Sequence, residues 1–326
     1  SLHRQKKEFD KAEAISRRVV EVADKIYGAN HRFVGEDLEF LAASVETGMS
    51  RESGSASLSV LSKDLDRGLA IFADVLAPFD PELGNLRHRH RPPAWVAGGD
   101  TSHLLGTDHL GRDILTRLLY GARISLIVGF LAAIVAGAIG TTVGIVSGYF
   151  GRWIDQVIMR VVDAWLALPA ISFAIFLAVL LGPSEKNIVI ILAGVFWTRY
   201  ARVIRGEVLS LKEREYVRLA IVAGCSKWTI MRRHILPNVI NTSIVLSTLI
   251  VGVVIVAEAA LSFLGVGVPP PKPAWGLMLA DGKEGMMAGY WWVTLFPGLA
   301  IMLVVLAANL LGDWLRVKLD PQLRQL

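Results

Sequence analysis

One cysteine, Cys225, occurs in 326 residues, so neither a disulfide framework nor a thiolate metal site can be built within the sequence. Charge is scarce as well. Asp, Glu, Lys and Arg make up 19% of the residues, against about a quarter in ordinary globular domains, which excludes a disordered chain or an acidic tail. A phosphate-cradling loop of the form G-x-x-x-x-G-K-[ST] is missing: Gly282-Lys283 is followed by Glu284, and Leu277 stands where the first glycine belongs. H-E-x-x-H and G-x-S-x-G are absent too, so zinc-peptidase and serine-hydrolase chemistry have no motif here. The expectation is a protein that is not itself an enzyme and binds no cofactor or metal of its own.

What is present is apolar. Hydrophobic residues reach 53% and mean hydropathy is +0.48. The formal charge of +5 is unevenly spread, with residues 1–77 at −2 and residues 78–326 at +7. The basic residues lie between long apolar runs, a pattern for membrane and not for nucleic acid. A hydrocarbon core of about 30 Å needs about 20 apolar helical residues. Five runs qualify: Ile124–Phe150, Val161–Gly182 (with Asp163 and an internal Pro169), the shorter Ile188–Tyr200, Val239–Val268, and Trp291–Leu311 beside an aromatic belt of Tyr290, Trp291 and Trp292. The first is rich in glycine, which lets membrane helices approach closely. Fourteen Lys and Arg lie in 151–160, 199–237 and the tail, against Lys186, Lys272 and Lys283 in the opposite connections. The excess of positive charge marks the cytoplasmic side, so the C-terminus and the 206–237 loop are expected there and residues 78–122 outside.

Loop 206–237 is too polar to span and too rich in helix formers for a linker. Tyr216, Leu219, Ala220 and Ala223 recur at helical spacing, Gly224 interrupts, and Trp228, Ile230 and Met231 resume an apolar face. Two short helices angled about a glycine make a compact knob, with the face of Trp228 and Met231 available to a partner, and Pro237 opens the next span.

These features resemble a known family. The knob is similar to the coupling loop of the membrane subunits of ABC importers, whose signature is a Glu-Ala-Ala triplet, a glycine, and an apolar-Leu-Pro ending. Gly224 and His234-Ile235-Leu236-Pro237 match the latter half, while Arg218-Leu219-Ala220 stands in place of the triplet. The segments HLLGTDHLGRD (103–113), GYFG (148–151), EAALSFLG (258–265), FPG (296–298), NLLGD (309–313) and LDP (319–321) resemble the second permease type of the dipeptide/oligopeptide (peptide/nickel) branch. That resemblance implies an all-α polytopic membrane protein with the helical bundle of a type I ABC importer permease, in a multi-pass arrangement in the bacterial inner membrane. It implies uptake of peptides or related small solutes, the chain forming half of the path. The implied partners are a second permease in a heterodimer, two cytoplasmic ATPases carrying ATP and Mg, and an extracytoplasmic solute-binding protein, besides membrane lipid. Glu215, Arg218, Ala220, Gly224, Trp228, His234 and Pro237 are its coupling-loop positions. A secondary transporter or channel without an ATPase is the alternative.

Several residues admit two readings. Glu258 lies deep in the fourth run, where a carboxylate must face the bundle interior or water, so it either lines the solute path or packs helices. Arg160 and Asp163, three apart, are expected to pair within one helix, and Asn309 and Asp313 to pack or cap. His88, His90, His103 and His109 are expected in a solvated basic loop and not around a metal. The branch normally has a further span before a Leu-Ala-Pro segment like Leu76-Ala77-Pro78. Residues 57–77 carry Lys63, Asp64, Asp66, Arg67 and Asp74 there, a cost above ~10 kcal/mol that rules out a span. Residues 1–77 read instead as a small soluble α+β segment: helices over 9–26 and 38–45, a strand at 56–60, and a helix capped by Ser62 with Leu65, Leu69, Phe72 and Leu76 inward. Gly48–Leu76 weakly resembles a pitrilysin-type peptidase fragment without its H-x-x-E-H motif. The segment is either a domain outside the membrane or a fusion. The expected organisation is thus 1–77, an extracytoplasmic loop and approach to the first span over 78–122, and the permease domain over 123–326.

Overall fold

The computed structural model describes residues 66–71, 73–74 and 76–319. The expected helices at 9–26 and 38–45, the strand at 56–60 and the Ser62 cap lie outside these residues. Two units are distinguished, Ser1–Asp80 and Pro81–Leu326. In the first, residues 66–71 are helical, and Leu76, expected to face inward, is exposed.

The second unit is helical, with no β-strand among the described residues. Its elements are α1 (Ile114–Phe150), α2 (Arg152–Ala167), α3 (Ala170–Leu181), α4 (Glu185–Leu211), α5 (Glu215–Val222), α6 (Lys227–Ile230), a π-turn (Met231–Ile235), α7 (Leu236–Phe263), α8 (Trp275–Met287) and α9 (Trp292–Leu319). Four stretches are long and apolar enough to cross a membrane: α1, α4, α6 through α7, and α9. The second expected span, Val161–Gly182, is instead part of a bent pair, α2 and α3 meeting at 90°. Pro169 is the cause: it lacks an N–H, and Leu168 before it is extended at ψ 132°.

The other span boundaries also move. Helix α1 begins at Ile114, ten residues before the apolar run, because the Asp113 carboxylate accepts from the Thr116 N–H at 2.8 Å and caps it. Arg117, one turn into this helix, is buried against acidic partners described below. Helix α4 continues past Tyr200 to Leu211, with Arg202 and Arg205 paired to Asp163 and Asp155 of α2. The 268–290 connection holds the helix α8. Pro237 does not open a span; helix runs unbroken from Lys227 to Phe263. The π-turn just ahead of Pro237 accommodates its missing N–H and its ring, which would strike the carbonyl four residues back in a regular helix.

Close packing of α1 on α4 organises the bundle. Gly140, Gly144 and Gly148 recur every four residues, so they share one helix face. A methyl on Gly140 would lie 2.2 Å from the Trp197 carbonyl oxygen, and one on Gly144 2.8 Å from that of Ala201. Only hydrogen fits at this seam. Ala132, Ala133, Leu192, Phe196, Tyr200 and Val254 fill the middle of the core, and Tyr200 donates its hydroxyl to the Ala133 carbonyl oxygen at 3.1 Å.

Candidate functional site

At one end of the bundle the chain leaves α4 and turns through residues 212–226. Lys212 steers the exit by donating from Nζ to the Gly148 carbonyl oxygen at 3.2 Å. Glu215 in the first turn of α5 suits the positive helix terminus. Helix α5 closes with a paired cap: the Cys225 N–H donates to the Ala220 carbonyl oxygen at 3.1 Å and the Gly224 N–H to that of Ile221 at 3.0 Å. This arrangement needs a left-handed residue at the second position, and Gly224 has φ 78°. Two residues on, the Ser226 hydroxyl accepts from the Thr229 N–H at 3.2 Å and starts α6. The two helices therefore meet at Gly224-Cys225-Ser226.

Val217 and Ala220 of α5 are buried with Ile145 of α1, Ile204 and Val208 of α4, and Met231 and Ile235 of the π-turn. The joint is thus seated on the ends of three long helices. What remains outside includes an apolar patch among charged residues: Val222 is 85% exposed and Leu219 and Trp228 67% each, with Ile221 and Tyr216 beside them. Met231 is not part of this face, contrary to expectation. The helical turn after Trp228 carries it inward, where it closes the small core under α5. Arg218, standing in the place of the acidic triplet residue, pairs with Glu213 on the surface. The Arg218 guanidinium holds the Glu213 carboxyl below the usual range. His234 lies 6.4 Å from the Tyr216 ring and its carbonyl accepts from Asn238, while Pro237 is exposed.

Glu258 is elsewhere. It is fully buried in α7, where Ser125 of α1 donates to one carboxylate oxygen at 3.0 Å and Ser262 to the other at 2.7 Å. Asp163 does not pair with Arg160 three residues back. It pairs with Arg202 of α4, because α2 lies along α4 and brings the guanidinium to it. Arg205 clasps Asp155 in the same seam, and Trp165 donates to the Gly194 carbonyl oxygen at 2.8 Å.

At the opposite end, residues 81–113 fold into a cap that sequence reasoning treated as solvated. His103 is buried, with Nδ1 3.0 Å from Asp113, and His90 stacks on Tyr290 with centroids 4.1 Å apart. Asp108 accepts from Arg112 Nε at 2.6 Å, Arg112 also reaches Asp281 of α8 at 3.0 Å, and buried Arg117 lies 3.8 Å from Asp108 and 3.6 Å from Asp281. The four-residue spacing of Asp108 and Arg112 was a readable signal; Asp281, 169 positions further on, was not. Asp108, His109 and Asp281 bring one ligand atom each within 4.8 Å of one another, but the two arginines already occupy both carboxylates. The set fits guanidinium groups and not a metal ion.

The sequence family described as binding-protein-dependent transport system inner membrane component matches residues 140–325. The chain is 44% identical to the dipeptide transport system permease protein DppC of Alkalihalophilus pseudofirmus, over 78% of this chain and 82% of that protein. It is 41% identical to the glutathione transport system permease protein GsiD of Pectobacterium atrosepticum, over 78% of this chain and 83% of that protein. Among solved structures, the fold is similar to a chain of the MetNI methionine ABC transporter in inward facing conformations, with a TM-score of 0.52 at 15% identity, covering 63% of this chain and 96% of that one.

Proposed function

This chain belongs to the family of binding-protein-dependent transport system inner membrane components, and we propose that it carries peptides inward, coupled to separate ATPases through the joint at 212–237. It is a multi-pass inner-membrane permease subunit of an ABC importer, a class that works with ATPase and solute-binding partners. Family membership removes the gradient-driven alternative. In the proposed arrangement the joint and the C-terminus face the cytoplasm, a second permease completes the path as a heterodimer, and ATP and Mg bind only the ATPases. Peptides are the proposed cargo because relatives at above 40% identity carry dipeptide and glutathione transport in their names.

The observation that supports coupling is the joint itself. A left-handed glycine fixes the angle between α5 and α6, a buried underside ties both to α1, α4 and α7, and an apolar outer patch of Leu219, Val222 and Trp228 is left uncovered by the described residues. A patch of that kind at an aqueous surface marks a docking face. Glu258 acts as a packing group in this reading, since both carboxylate oxygens are held by serines of the bundle.

The test is copurification followed by reconstitution. An ATPase pair retained after detergent extraction, hydrolysis stimulated by peptide-loaded binding protein, and ATP-dependent dipeptide uptake are expected. A permease that copurifies with no ATPase, or takes up peptide under an ion gradient alone, would refute the proposal.

A further inference from the structure

A polar wall runs where lipid would be expected. On α2, Gln156, Arg160, Asp163 and Ala167 follow one another by four, three and four residues, so they form a single stripe, and all are exposed. On α4, Arg199, Arg202 and Gly206 make a second exposed stripe by the same spacing. The Asp163–Arg202 pair joins the two stripes edge to edge, although its side chains remain 55% and 53% exposed.

The depth of this wall follows from the glycine seam. A methyl on Gly140 would lie 3.0 Å from the Ala201 nitrogen, and one on Gly144 2.8 Å from the Ala201 oxygen. Arg202 is therefore level with α1 between Gly140 and Gly144. Helix α1 continues without charge from there to Phe150, about 9 Å of further apolar helix. Charged side chains at that depth do not face hydrocarbon; they face a wet cavity or protein. The neighbouring stripe on α2, with Trp153, Val157 and Val161 exposed, is the kind of surface lipid accepts.

The wall is also unbalanced. Arg160, Arg199 and Arg202 face one carboxylate, Asp163, which Arg202 already engages. The Arg199 guanidinium is kept in place by the Phe196 ring, 5.0 Å below it.

We propose that the α2–α4 stripe lines the solute path and that its surplus of arginine selects solutes bearing a carboxylate. The inference rests on the permease reading above and moves the path-lining role from Glu258 to this wall. Peptides meet the requirement through their C-terminus.

The test is aqueous thiol labelling of Ala167→Cys in the fully assembled, nucleotide-free complex, since Ala167 is small, exposed and lies past the arginines from the joint. The probes are an anionic sulfonatoethyl and a cationic trimethylammonioethyl methanethiosulfonate, each rate divided by that reagent's rate with a free thiol. Modification is read peptide by peptide by mass spectrometry, with exposed Cys225 as internal reference. The expected result is that Ala167→Cys reacts, with the anionic reagent favoured about 5-fold or more, and that adding Arg160→Gln and Arg199→Gln brings the ratio near one. No reaction with either reagent would mean that lipid or the second permease covers the stripe, and equal normalised rates would mean a path without this selectivity; either overturns the inference. An inert Ala167→Cys in a complex that still imports peptide sinks the wall alone. Absence of any copurifying ATPase sinks the permease reading instead, whatever the labelling.

Discussion

Gly224→Val isolates the backbone of the joint from everything around it. A Cβ at Gly224 would meet no atom within 4 Å, so the substitution creates no clash. What it changes is conformational preference: φ 78° lies in the left-handed region, which costs an L-residue about 1–2 kcal/mol. A β-branched side chain is a true outlier there. That sum equals a factor of about 5–30 in the population of the native joint. The bundle does not depend on it, because the glycine seam, the Tyr200 hydroxyl and the Glu258 serines all lie along the long helices. The expected phenotype is a Gly224→Val complex that inserts and assembles, yet loses most peptide-stimulated ATP hydrolysis and uptake. Because space is open, Gly224→Asn should lie nearest the native protein, with Gly224→Ala between, since asparagine tolerates left-handed angles. The measurements are ATPase rate and dipeptide uptake in proteoliposomes, normalised to assembled complex. Native rates in Gly224→Val, or an Asn variant as impaired as the Val one, would refute the argument that backbone geometry at this residue carries the coupling.

Gly140→Val should separate α1 from α4 at a backbone contact that cannot yield, costing about 1–3 kcal/mol; a detergent melting temperature equal to the native one would contradict this. Glu258→Gln should keep both serine hydrogen bonds and normal uptake, whereas Glu258→Ala strands them and costs about 1–3 kcal/mol. Lost uptake in an assembled Gln variant would restore the solute-path role. Asp281→Asn should weaken the Arg112 and Arg117 clasp on the cap by about 1–3 kcal/mol, seen as faster proteolysis within residues 81–111 while α9 stays protected. Trp228→Ala, which removes the largest exposed ring of the docking face, should weaken ATPase retention by about 10-fold or more without altering thermal stability of the isolated subunit.

The apolar runs were legible because membrane spans announce themselves by composition, and Gly224 because a glycine between two amphipathic stretches has few other uses. What failed shares one cause: a contact between segments distant in sequence. Arg160 was the near partner for Asp163 by helical spacing, but Arg202, 39 positions away, is the actual one. The first apolar run starts at Ile124, yet the helix begins earlier and includes Arg117, on which Asp108 and Asp281 converge. Met231 shared an apolar stripe with Trp228, yet one faces the small core under α5 and the other faces out. The depth of Glu258 could be counted along the run; its Ser125 partner, 133 residues earlier, could not. The cap at 81–113 reads as histidine-rich loop because its order comes from α8 and α9, through Asp281 and through the Trp292 indole donating to the Thr107 carbonyl oxygen at 3.2 Å.

In the proposed coupling, the uninterrupted helix from Lys227 to Phe263 would act as a lever arm. Its 37 residues extend about 55 Å, with Trp228 at the free end and Glu258 some 45 Å along. A tilt of about 5° delivered at the Trp228 end would swing the Glu258 level by about 4 Å if the arm were rigid. It is not uniformly so: the π-turn at Met231–Ile235 places a softer segment just beyond the point where force enters. Small rotations at the joint can be absorbed there, and only strokes large enough to take up that slack reach the middle of the bundle. If the joint docks an ATPase as proposed, the same fold that connects it to the core would set a threshold for what it transmits.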